Sequence, residues 1–156
     1  MQRQLAIIVT TVLLVAGLGS GVLVAQAANE SSGRNGHASS ARQFVGYWMG
    51  IDPLDGGDSR RGITRNDDGT FSVIGRDTVF TLCDGTDRAI ITVGDAAVAR
   101  SALVSDDLVI TCTNQNSTVR LKVRYDVIDR NIVRETVTTQ SGEPVDQIIF
   151  HRVSAH

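Results

Sequence analysis

Lysine occurs once in the 156 residues and glutamate three times, against 14 arginines and 14 aspartates. Lysine and glutamate dress helix surfaces whereas aspartate favours turns, so helix is disfavoured before any periodicity is counted. Basic residues are interleaved with acids along the chain, and the formal net charge is -2. No basic stripe follows a phosphate backbone, which argues against a nucleic-acid partner. Histidine is equally scarce: His37, His151 and His156 are the whole stock of ordinary general bases, and only His151 falls in a patterned segment. No Gly-x-Ser-x-Gly elbow accompanies it, so no catalytic residue is assigned and the chain is not expected to be an enzyme.

Cysteine is limited to Cys83 and Cys112. The pair lacks the Cys-x-x-Cys spacing of redox catalysts, and with no histidine nearby it offers too few ligands for a structural metal. In an oxidising compartment such a pair forms a disulfide, closing a loop of about 29 residues for roughly 3 kcal/mol. Two buried free thiols are the alternative. The densest acidic cluster, Asp52, Asp55 and Asp58 around Gly56 and Gly57, misses the Asp-x-Asp-x-Asp-Gly spacing of a calcium loop and reads as a solvated turn whose carboxylates bond nearby amides. No metal or cofactor is expected.

What is present begins at the N-terminus. Arg3 is followed by no charge from Gln4 to Asn29, and Ala25-Gln26-Ala27 closes the run in the pattern of a signal peptidase site. The predicted organisation is a signal peptide over 1–27, a flexible spacer over 28–42 with no large apolar residue after Ala28, and one domain over 43–154. The uncharged stretch also reaches the roughly 20 residues that span a bilayer, so an uncleaved N-terminal anchor is the alternative. Gly17, Gly19, Ser20 and Gly21 interrupt its apolar run and favour cleavage, which would leave no stable membrane insertion. Either way the folded part is expected outside the cytoplasm, secreted, periplasmic or in the cell envelope.

The domain alternates short β-rich runs with turn signals every 8 to 12 residues or so, the spacing of a barrel or sandwich. A first strand is predicted at 44–51, with others at 60–65, 70–75, 77–83, 88–93, 97–104, 107–113, 118–128, 131–139 and 145–153. Gly94-Asp95 and Asp106-Asp107 are among the expected turns. The clearest alternation sets Val119, Leu121, Val123, Tyr125 and Val127 on one face and Arg120, Lys122, Arg124 and Asp126 on the other, a sheet wet on one side. Short connections pair consecutive strands antiparallel. The predicted fold is all-β, an up-and-down meander barrel of 8–10 strands, with a β-sandwich as the alternative.

Among the acids, Asp77, Asp126, Glu135 and Asp146 fall on strands rather than turns. Glu135 shares a face with Val133 and Val137, while Arg134 shares the other with Ile132, so either orientation brings a charge inward. A buried charge must be paired or serve a ligand. Arg100, between Val98 and Ala102, raises the same question. Together with Tyr125, these two are the candidate residues of a ligand-binding lumen.

Gly46-Tyr47-Trp48, preceded by Phe44, resembles the Gly-x-Trp motif that opens lipocalin and related calycin barrels. Those barrels often carry an arginine at the last strand that packs across the tryptophan, and Arg152 stands where the resemblance requires it. Gly46, Trp48 and Arg152 are therefore expected to close the bottom of the barrel. The second lipocalin motif has no match, and the domain is shorter than a typical lipocalin, closer to compact bacterial lipocalin-like or avidin-like secreted modules. The resemblance implies non-enzymatic binding of a small apolar or amphipathic ligand. A structural or protein-interaction module of the bacterial cell envelope with a closed core is the alternative.

Overall fold

A computed structural model describes residues 41–83 and 88–154. The predicted signal peptide and residues 28–40 of the predicted spacer lie outside the described residues, as do His37, His156 and the expected turn at Asp84-Gly85. Eight strands follow in chain order: β1 (Gly46–Ile51), β2 (Asp58–Arg65), β3 (Phe71–Asp77), β4 (Ala89–Ala99), β5 (Ala102–Cys112), β6 (Ser117–Asp129), β7 (Ile132–Thr138) and β8 (Pro144–Ser154). Each pairs antiparallel with its sequence neighbours, and β1 pairs with β8, so the meander closes into a barrel with no free edge. The sandwich alternative is thereby excluded.

The strand boundaries depart from expectation where turn chemistry is used for another purpose. Gly94-Asp95 does not turn the chain; β4 runs through it and carries one extra residue there against β3. Asp106-Asp107 likewise forms a bulge in β5 against β6. Bulges let long strands bend around a small barrel. The hairpin falls instead at Arg100-Ser101, inside the strand predicted at 97–104, with Arg100 in a left-handed conformation at φ 59°. Residues 77–83 do not form a strand either: β3 ends at Asp77, and a 3-10 turn at Thr81–Cys83 follows. Cys83 still reaches Cys112 at the end of β5, and the two form the disulfide with Cα atoms 5.5 Å apart.

The meander gives the barrel two ends. Its base holds the start of β1, the end of β8 and the turns after β2, β4 and β6; its mouth holds the loops after β1, β3, β5 and β7. The interior is filled by the inward faces of all eight strands, among them Trp48, Ile63, Phe71, Ile91, Leu108, Tyr125, Ile148 and Phe150, each at most 1% exposed. Leu121 and Val123 point inward as their alternation predicts, and Val119 and Val127 pack against the same core.

Candidate functional site

At the base the structure brings together Gly46, Trp48 and Arg152, the three residues named by the Gly-x-Trp resemblance. Gly46 sits at φ 140°, a conformation that residues with a side chain rarely adopt, and it leads the chain into β1 beneath Trp48. The indole Nε1 donates to the Phe44 carbonyl at 2.8 Å. The Arg152 guanidinium lies 4.0 Å from the centre of the Trp48 rings and donates to the carbonyls of Val45 and Gln43. Cation–π contact and two carbonyl acceptors thus hold this arginine without a carboxylate.

A second inward arginine lies higher in the barrel. Period-two alternation on β2 sends Ser59, Arg61 and Ile63 inward, and Arg61 is 3% exposed. Its Nε and Nη2 donate to the two oxygens of Glu135 on β7, each at 2.8 Å, a bidentate pairing across the lumen. Nη1 donates to Asp77 on β3 at 2.7 Å and to the Arg60 carbonyl at 2.9 Å, and Nη2 reaches Asp77 again at 3.3 Å. All five N–H groups of the fork are therefore used. The ring of Phe150 lies 5.0 Å from the guanidinium carbon. Gly75, opposite Arg61 on β3, makes the room: a Cβ there would stand 2.7 Å from Arg61 Cδ and 2.5 Å from the Arg60 carbonyl oxygen.

Two carboxylates against one guanidinium leave the network with an excess of negative charge, and the electrostatics follow. Burial pushes the Asp77 carboxyl above its ordinary range; Arg61 opposes the rise and Glu135 adds to it. Burial alone would favour loss of the Arg61 proton, but Glu135 and Asp77 outweigh it and hold its pKa well above the ordinary value. Tyr125, opposite Glu135 on β6, is kept a neutral phenol by burial and then by the Glu135 charge. Its hydroxyl lies close to Glu135 and Arg61, and the buried Ser59 hydroxyl close to Asp77, both just outside hydrogen-bond geometry. Nearer the mouth the half-buried Asp146 is pushed up to about 6, by burial and then by Asp52. Asp52 and Asp55 accept from the amides of Leu54 and Gly57 in their own loop as expected, but the turn is not fully solvated, because Asp52 is buried.

Of the three candidate lumen residues, the structure brings Tyr125 and Glu135 together and leaves Arg100 apart. Arg100 cannot share a lumen face with Val98 and Ala102 because the chain reverses at that point, and it is exposed in the β4–β5 hairpin. His151 is exposed on the outer wall, opposite in parity to Arg152. Arg61 was the missed residue. Its parity with Ile63 was the available signal, as was the parity of Asp77 with Phe71 and Val73. One cleft of about 600 Å³ lies over the outward Tyr47, Gly62 and Ile74 between β1, β2 and β3 and reaches the inward Trp48 and Arg61 at its floor. Comparison with family models, with curated proteins and with solved structures finds no match.

Proposed function

We propose that the chain is an exported, non-enzymatic, lipocalin-like barrel whose core is closed by its own side chains, and that it serves the cell envelope as a structural or interaction module acting through its surface. The observation that carries this reading is the dry interior. A water-filled or ligand-sized lumen would leave its lining wet, yet the inward side chains from Trp48 at the base to Glu135 and Asp77 are at most a few per cent exposed. Glu135, a candidate ligand residue, already has both oxygens committed to Arg61. Export is supported by the uncharged segment Gln4 to Ala28 and by the Cys83–Cys112 disulfide. A non-enzymatic role is supported by the outward His151 and by the pairing of the inward carboxylates Asp77 and Glu135 with Arg61.

Binding of a small apolar or amphipathic molecule in the lumen is the second reading, and the hydroxyls of Tyr125 and Ser59 favour it, because they stand beside Glu135, Arg61 and Asp77 without good hydrogen-bond geometry and buried polar groups are ordinarily satisfied. Native mass spectrometry of the protein purified from its own host separates the two. The closed-core reading expects the mass of the chain from Ala28 less two hydrogens and nothing bound. A small molecule that co-purifies and is released on unfolding would replace it with the ligand reading.

A further inference from the structure

The base of the barrel carries a second feature, on its outside. Arg42 before β1, Arg65 at the end of β2, Arg130 in the β6–β7 turn and Arg152 on β8 line one cleft of about 740 Å³ together with Gln43 and Asn131. That volume lies within the roughly 300–1,000 Å³ typical of small-molecule sites. Among the described residues no carboxylate lines it. Among the acids of the adjoining turns, Asp68 accepts from the Thr70 amide and hydroxyl, Asp129 accepts from the Asn131 amide, and Asp67 is exposed.

Among the described residues none of the four arginines belongs to an ion pair, whereas Arg120, Arg124 and Arg134 on the barrel wall pair with Asp107 and Asp126. Arg42, Arg65 and Arg130 are exposed and have no structural partner among the described residues. Arg152 is fixed as the floor by Trp48 and two carbonyls. Burial and then the charge of Arg130 lower the Arg152 pKa, as expected of two guanidiniums that face each other's field with no acid between them. Convergent like charges cost energy in the free protein and are relieved by an anion; the planar fork of arginine matches phosphate bidentately.

We propose that this four-arginine cleft at the barrel base binds a phosphate-bearing anionic group. The inference rests on the reading of the barrel as a module that works through its surface, and names the chemistry of what that surface meets. The chain enters the barrel at this end, so export brings the base past the membrane next to the segment Gln4 to Ala28, and an uncleaved segment would hold the cleft at the bilayer surface. A lipid headgroup is thus one source of the phosphate, and free phosphate the other.

The test uses the full chain, with vesicles of phosphatidylglycerol and of phosphatidylcholine, and with inorganic phosphate in a calorimetric titration. The variants are Arg42→Gln/Arg65→Gln/Arg130→Gln and, as a control of equal charge change, Arg60→Gln/Arg76→Gln/Arg120→Gln; all six positions are exposed, so both fold. Comparing each variant with the parent cancels any contribution of the N-terminal segment. Tighter binding to the anionic vesicles, reduced about a hundredfold by the cleft variant and little by the control, is expected for a headgroup, at about a fivefold step per arginine. Phosphate binding that depends on the cleft, without a vesicle preference, assigns the site to the free anion. No binding to either probe, or an equal loss in both variants, overturns the proposal while leaving the closed core untouched.

Discussion

Two arginines point into this barrel and are held in opposite ways. Arg152 at the base rests on an indole and two backbone carbonyls, near water and without an acid. Arg61, in the interior, has each of its five donors matched and two carboxylates around it. At the rim a cation needs only a polarisable face and loose acceptors, because water still screens it. In the interior it needs full pairing, and the pairing in turn occupies the space that a ligand would take. The base is therefore replaceable in parts, whereas the interior network stands or falls as a unit.

That contrast can be broken most severely at Arg61. Arg61→Met leaves Glu135 and Asp77 buried without their partner, and we expect a loss of about 3–5 kcal/mol in chemical unfolding. The triple variant Arg61→Met/Asp77→Val/Glu135→Leu removes every charge at once and should recover most of that loss or exceed the parent. If the triple is as unstable as the single, the network is not a unit. At the base the indole should matter more than the cation. Trp48→Ala is expected to cost about 3–5 kcal/mol as a buried large-to-small change, and Arg152→Gln about 1–2 kcal/mol, the range of one cation–π contact plus its carbonyl bonds. A larger loss for Arg152→Gln than for Trp48→Ala would reverse the roles.

The smallest effect concerns the mouth. Asp146 has a folded pKa of about 6, above that of an unfolded aspartate. The folded state therefore holds this proton more tightly, so the contribution is fully present below about pH 4 and is lost as pH rises through about 6. Asp146→Asn should remove the loss, raising stability near pH 7.5 by about 1 kcal/mol, a figure discounted because the side chain is partly exposed and screened by water. Below pH 4 variant and parent should coincide in thermal unfolding; a gain independent of pH would point to a packing effect instead.

Much of the barrel was legible in the chain. Alternation from Val119 to Val127 gave the inward face of β6, and Trp48 and Arg152, more than 100 residues apart, met through a resemblance that names both ends. Glu135 was legible only as a dilemma: its parity demanded a buried charge, but its partner Arg61 is 74 residues away and reaches it across the closed lumen. Strand boundaries failed where a turn dipeptide was used for a bulge. Gly94-Asp95 and Asp106-Asp107 are good turn formers, whereas Arg100-Ser101 has neither glycine nor asparagine to mark the reversal. The four arginines of the basal cleft are dispersed at 42, 65, 130 and 152, so a linear search for basic stripes passes over them.

The dryness of the interior can be measured at one proton. The Arg61 Nε–H donates to Glu135 Oε2 at 2.8 Å inside the barrel, so its exchange with water, followed by nitrogen-edited NMR, reports directly on whether the lumen is closed. A closed core predicts a slowly exchanging Arg61 side-chain signal, resolved from the averaged signals of exposed arginines such as Arg60 and Arg76. Exchange as fast as theirs would mean that water, and the room for a ligand, reaches the centre of the barrel.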